Sequence, residues 1–156
     1  MTFPADKNGV FCIGSADGTG MRSNFSLPFD YFEMYSTVGE GVVAPFTTFI
    51  TADRIETNNR KRMDGTSTAT PVAAGVTALL LDYMRMNRFP PECETYENVR
   101  KIFIIMSQSE IMIDKHHRFL MPWTLFDDVD DIVQLLHNVF ARGKFLWSGT
   151  DGVVRN

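Results

Sequence analysis

The sequence predicts an α/β fold in which helices cover both faces of a parallel sheet. Residues 10–16 form an unbroken apolar run, which is typical of a strand that is buried on both faces. Residues 72–84 repeat apolar and small side chains at helical spacing, and two more amphipathic helices are indicated at 95–106 and 127–140. The length of 156 residues and the hydrophobic share of 44% suit one domain with a packed core. We therefore expect a three-layer α/β/α architecture with a parallel sheet.

Further strands are expected between the first apolar run and residue 64. One or two of them should lie within residues 31–44, interrupted by Gly39 and Gly41, and residues 46–50 are another candidate. Residues 51–64 are polar and predict a loop. The strands should therefore lead through a polar connection into the first long helix.

That first long helix is expected to be central and buried. It should begin near Ser67 and run to about Met84, because small or apolar residues occupy nearly every side of it. Gly65 gives the preceding turn a backbone conformation that other residues avoid. Pro71 is tolerated if it lies within the first turn or so.

The last third of the chain is predicted to be mostly helical. Thr95 can cap one helix, and the Asp127-Asp128 pair can cap the last one, with a short strand between them. We divide the chain into residues 1–90, which carry the serine turn, and residues 91–156, a helical C-terminal extension that packs on them.

A serine at the start of a buried helix is a candidate nucleophile. The turn brings the Ser67 hydroxyl close to the helix N-terminus, where free backbone N–H groups can hold an oxyanion. The alternative is a core helix whose serine only caps the first turn. The short sequence Gly65-Thr66-Ser67 does not by itself decide between the two.

A longer run around Ser67 resembles the serine motif Gly-Thr-Ser-x-Ala-x-Pro of the subtilisin-like serine peptidases, or subtilases. The run reads Gly65-Thr66-Ser67-Thr68-Ala69-Thr70-Pro71. Most members have a histidine next, whereas this chain has Val72. The resemblance implies that Ser67 is the nucleophile of an endopeptidase and that Gly65 and Thr66 support the motif and its oxyanion site. It also implies the C-terminal portion of a subtilisin-like three-layer α/β/α domain.

Two other stretches extend the resemblance. Residues 10–26 are similar to the family's buried strand and to the Phe-Ser pair that follows it, here Phe25-Ser26. Residues 96–126 resemble a group of fungal intracellular subtilases, with an Arg-Lys-Ile-Phe helix at 100–103 and Pro-Trp-Thr-Leu-Phe at 122–126. The resemblance therefore implies the fungal intracellular type.

The family's catalytic triad is incomplete in this sequence. Subtilases carry their Asp and His before the serine, whereas His116, His117 and His137 all follow Ser67. The resemblance thus implies a truncated, inactive piece that would act on peptide or protein substrates only if an upstream half completed it. A non-catalytic interaction or regulatory remnant is the alternative. In either case we expect an exposed apolar surface along residues 10–16 or the sheet edge beside them.

An α/β-hydrolase is a less favoured alternative. Its chain order of Ser, Asp and His could be met by Ser67, Asp114 or Asp127, and His137. That fold needs a buried strand leading straight into the serine turn, and the polar residues 54–63 argue against one. His137 is expected in mid-helix at the edge of the core.

Composition argues against several other classes. The net charge of −4 does not suit a nucleic-acid binder, and no apolar run reaches membrane-spanning length. No metal-ligand spacing is present and no cofactor is implied; the adjacent His116 and His117 are expected in a surface loop. Cys12 and Cys93 are expected to be reduced, which together with the lack of a signal peptide predicts a cytoplasmic protein.

Overall fold

The computed structural model describes residues 7–26, 34–45, 50–51, 54–55, 60–107, 117–126 and 131–141. The strands in these ranges are β1 (Cys12–Ala16), β2 (Met34–Val38), β3 (Val42–Pro45), β4 (Ile50–Thr51), β5 (Arg54–Ile55), β6 (Arg60–Met63) and β7 (His117–Phe119). The helices are α1 (Thr66–Met86), α2 (Tyr96–Met106), α3 (Pro122–Phe126) and α4 (Ile132–Ala141), with a 3₁₀ turn at Pro91–Cys93. The predicted α/β class is confirmed.

Three parallel strands form the central sheet of the described residues. Their order is β1-β2-β7, and Met34 on β2 lies opposite both Cys12 and His117. Helix α1 packs on β1 and β2. Because the strands are parallel and in register, their carboxyl ends lie at one edge of the sheet, beside the start of α1.

The predicted loop at residues 51–64 is partly wrong. Strand β6 pairs antiparallel with β3, so that Met63 lies opposite Val42 and Arg60 opposite Pro45, and β4 pairs with β5. The side chains of Arg60, Lys61 and Arg62 are exposed. Antiparallel backbone pairing joins the two strands of this ribbon, and their side chains are exposed or half-buried, so hydrophobic periodicity gave no signal. Residues 46–49 of the other candidate strand lie outside the described part.

Helix α1 begins and ends close to the predicted residues, but it is not buried on all sides. Its buried residues, Thr68, Ala69, Ala73, Leu80 and Met84, recur at about four-residue spacing and face the sheet and the core. The opposite face is open to solvent. Pro71 was expected within the first turn or so; it is the sixth residue of α1 and lies early in the second turn.

The apolar stripe on α1 consists of Val72, Leu79 and Met86, which are 37%, 69% and 76% exposed. An exposed apolar surface was predicted on residues 10–16 or at the sheet edge beside them, and Met21 and Phe25, in the segment that bonds to the outer side of β1, are 52% and 51% exposed. The stripe on α1 is a further apolar surface that the prediction missed. Strand β1 is almost wholly buried, because the chain beyond it bonds to its outer side: Ser23 N–H donates to the carbonyl of Ser15 at 3.0 Å. The sequence of α1 has apolar or small residues on nearly every side and does not specify which face is covered.

One hydrophobic cluster joins the first and last parts of the chain. Its buried members are Tyr35, Ala73, Leu80, Met84, Phe89, Val99, Ile102, Phe103, Met106, Leu120, Leu125 and Leu136. The division at residue 90 stays a prediction.

Capping side chains begin two of the downstream helices. Thr95 caps α2, since its hydroxyl accepts from Asn98 N–H at 3.3 Å, as predicted. The last helix is capped by Asp131, whose carboxylate accepts from Gln134 N–H at 2.8 Å. The predicted Asp127-Asp128 cap lies outside the described residues.

Candidate active site

Ser67 is the second residue of α1 and lies at the carboxyl edge of the sheet. Its side chain is exposed, and its hydroxyl bonds to none of the described residues. Gly65 precedes the helix with φ +154°, and a Cβ added to it would lie 3.2 Å from Ser67 Oγ. Glycine at position 65 therefore leaves the hydroxyl of Ser67 open to an incoming group.

The first turn of α1 presents unused backbone donors next to that hydroxyl. The N–H groups of Thr68 and Ala69 both donate to the carbonyl of Gly65, at 3.1 and 3.2 Å. Those of Thr66 and Ser67 donate to no described atom. Free N–H groups at a helix N-terminus carry partial positive charge and attract anions. The turn can therefore stabilise negative charge that develops beside Ser67.

A group of hydrogen bonds, which we call the serine clasp, joins residues 37–41 to residues 64–69. Gly65 N–H donates to the carbonyl of Gly39 at 2.8 Å, and Thr68 Oγ1 donates to the same carbonyl at 3.0 Å. Thr37 Oγ1 donates to the carbonyl of Ala69 at 2.7 Å. The clasp fixes the serine turn to the end of β2.

A fourth bond of the clasp lies nearer the ribbon, where Gly41 N–H donates to the carboxylate of Asp64 at 2.6 Å. The sequence singled out Gly39 and Gly41 only as strand breakers and missed the supporting roles of Thr37 and Thr68. No local pattern marks these partners, because the bonds connect residues about 30 positions apart.

The described histidines do not approach Ser67. His117 is buried on β7, where its Nε2 lies 2.5 Å from Ser36 Oγ, so the prediction that it lies in a surface loop is wrong. Its burial follows from strand pairing with β2, which hydropathy does not reveal. Ser36 is fully buried, so a substrate cannot reach this Ser–His pair. His116 lies outside the described residues.

His137 lies far from the serine turn. Its ring stacks on Phe89 with centroids 4.5 Å apart, and Phe89 follows the C-terminal end of α1. Ser67 is at the other end of this helix, which its 21 residues make roughly 30 Å long. The α/β-hydrolase assignment of Ser67 with His137 is therefore wrong; Asp114 and Asp127 lie outside the described residues.

Several expectations about other sites can be compared with the described residues. They contain no group of three His, Cys, Asp or Glu side chains that could hold a metal ion. Over the same part of the chain no helix has the length and apolarity needed to cross a membrane. Cys12 and Cys93 are free thiols, and burial raises the pKa of Cys12.

Comparison with known proteins identifies the family. The model of the subtilase family, peptidase S8, matches residues 1–108, more than half of the chain. The chain therefore belongs to the subtilase family.

A solved structure supports the same fold. It is described as a serine-to-alanine mutant of the protease domain of PatA, and it superimposes with a TM-score of 0.62 at 21% identity. The match covers 87% of this chain and 43% of that one, so the chain spans less than half the length of this neighbour. No curated protein matches the chain.

Proposed function

We propose that Ser67 is the nucleophile of a subtilisin-like serine endopeptidase. The observation that carries the proposal is the exposed Ser67 hydroxyl beside the free N–H groups of Thr66 and Ser67, within the family's serine motif. A capping serine would direct its oxygen toward the N–H groups of its own helix turn. Ser67 instead lies inside the helix and leaves its hydroxyl unbonded among the described residues.

The proposed chemistry is acyl transfer. The Ser67 oxygen attacks the carbonyl carbon of a peptide bond and passes its proton to a histidine base, and the carbonyl oxygen becomes an oxyanion. The N–H of Ser67 donates to that oxyanion. The histidine then protonates the leaving amine, and water hydrolyses the acyl-enzyme by the reverse sequence of proton transfers.

The general base would come from outside these 156 residues. Two observations support this. Both described histidines, His117 and His137, are engaged away from Ser67. The apolar stripe on α1, with Leu79 and Met86 largely exposed, is the kind of surface that a further layer of the domain would cover.

The chain alone would then be inactive, because a serine hydroxyl without a base is a weak nucleophile. A non-catalytic interaction or regulatory remnant is the second candidate function, and the same exposed stripe on α1 supports it.

We also propose that the protein is cytoplasmic, which its two free thiols support. Fractionation of cells that express the tagged full-length protein tests the location.

Peptide hydrolysis tests the catalytic proposal. The chain would be joined to an upstream segment carrying the family's Asp-x-Gly and His-Gly-Thr sequences, and cleavage of a denatured protein substrate would be measured. We expect hydrolysis by the joined protein, none by the 156-residue chain, and none by the joined Ser67→Ala variant. A joined protein that folds and binds but never cleaves would favour the remnant.

A further inference from the structure

We propose that Thr68 is a positioning residue for Ser67, acting through the serine clasp. This inference rests on the proposed role of Ser67 as nucleophile. The Thr68 side chain is buried, and its hydroxyl lies 3.0 Å from the carbonyl oxygen of Gly39 and 2.6 Å from that of Gly65. One hydroxyl thus links the end of β2 to the residue that opens the serine turn.

Both sides of Ser67 are tied to one oxygen atom. Before it, Gly65 N–H donates to the Gly39 carbonyl, and after it, the Thr68 hydroxyl shares its one proton between that carbonyl at 3.0 Å and the Gly65 carbonyl at 2.6 Å. Gly39 is itself held to β1, because its N–H donates to the carbonyl of Ala16 at 2.9 Å. The backbone of Ser67 is therefore anchored to two strands of the sheet.

Ser67 has no other described support. Its hydroxyl and its N–H bond to no described residue, so the position of both atoms follows from the backbone alone. Pro71 weakens the helix at this point, since it lacks the N–H that would otherwise bond to the Ser67 carbonyl four residues earlier. An external anchor such as the Thr68 hydroxyl compensates for that missing helix bond.

Packing on the far side of the clasp leaves little room for movement. A Cβ on Gly39 would lie 2.3 Å from Ser15 Oγ and 2.8 Å from the Gly65 carbonyl oxygen. The lack of a side chain at Gly39 therefore allows the serine turn to approach the end of β2 this closely. Loss of the Thr68 hydroxyl would leave the Gly65 N–H as the single described bond to that carbonyl.

Amide hydrogen exchange of the 156-residue chain, followed by NMR, tests the inference. Thr68→Val removes the hydroxyl and keeps the shape, Thr68→Ser keeps the hydroxyl, and Thr68→Ala is a second variant without it. The matched control is Thr70→Val, because Thr70 Oγ1 donates at 2.9 Å to the Thr66 carbonyl within the same helix and does not reach β2.

We expect Thr68→Val and Thr68→Ala to speed exchange of the Gly65 amide about tenfold and to shift the Ser67 resonances. Thr68→Ser should restore both, and Thr70→Val should leave exchange of the Gly65 amide near the wild-type rate. The Val99 amide, which donates to the Thr95 carbonyl in α2, should exchange at its original rate in every variant.

Two results would overturn the inference. One is unchanged exchange at Gly65 with unchanged Ser67 resonances in both variants that lack the hydroxyl. The other is an equal acceleration at Gly65 and Val99, which would mean that the hydroxyl acts on global stability. Because the experiment needs no catalysis, either result would leave the proposed nucleophile to be judged separately by peptide hydrolysis.

Discussion

Replacing Gly39 by alanine should destabilise the fold through a steric clash at the serine clasp. The new Cβ would meet Ser15 Oγ at 2.3 Å, the Gly65 carbonyl oxygen at 2.8 Å and Ser15 Cβ at 2.9 Å. Ser15 cannot easily yield, because it is fully buried and its hydroxyl is bonded to Ser23 Oγ at 2.8 Å. The serine turn must therefore move away from β2.

The size of the effect follows from two contributions. Overpacking a tight site costs about 1–3 kcal/mol, and each hydrogen bond lost from the Gly39 carbonyl costs about 1 kcal/mol more. We expect Gly39→Ala to lower the free energy of unfolding by roughly 2–4 kcal/mol in total. For a chain of this length the melting temperature should fall by roughly 5–15 °C.

Urea unfolding followed by circular dichroism measures this change, with Gly75→Ala as the control. Gly75 lies in α1 with nothing within 4 Å of an added Cβ, so alanine there should stabilise the helix by about 1 kcal/mol. Replacement of glycine by alanine should thus lower the free energy of unfolding at position 39 and raise it at position 75. A Gly39→Ala protein as stable as the wild type would refute the close approach of β2 and the serine turn.

Three further predictions concern other parts of the chain. Thr95→Ala should remove the cap of α2 and lower the free energy of unfolding by about 1 kcal/mol, which urea unfolding can measure. The Arg85 guanidinium lowers the pKa of Glu94 and lies 2.6 Å from it, so this pair should stabilise the fold near neutral pH and lose that contribution as pH falls through the acid range. Glu94→Gln should make the melting temperature depend less on pH between about pH 5 and pH 2. The same pH dependence in the variant and the wild type would contradict a stabilising role for the pair. Leu79→Lys places a charge on the apolar stripe, so it should reduce self-association measured by light scattering and keep the helical circular dichroism. Equal self-association of the variant and the wild type would mean that the stripe is not the contact surface.

The sequence predicted the elements that have a local signal. The apolar run ending at Ala16, the Thr95 cap and the helix after Gly65 were all recognisable, since periodicity and capping chemistry lie within a few residues. The serine motif likewise indicated the family directly. These features depend on neighbouring residues, so that a single chain is enough to reveal them.

The sequence could not predict features that depend on distant pairing. Strand β6 forms by backbone bonds to β3, and its exposed Arg and Lys side chains resemble a loop. His117 is buried because β7 pairs with β2 across about 80 positions. Helix α1 has apolar or small residues on nearly every side, so only the packed structure shows that Leu79 is uncovered. The clasp bonds of Thr68 were invisible for the same reason.

Labelling with a fluorophosphonate probe, located by mass spectrometry, tests directly whether Ser67 is a nucleophile that needs a base from outside these residues. We expect no label on the 156-residue chain and a label on Ser67 once an upstream segment supplies the Asp and His. Ser67→Ala should abolish that label. Rapid labelling of Ser67 in the chain alone, or labelling of the joined protein at a different residue, would contradict the claim that Ser67 is a nucleophile completed from outside these residues.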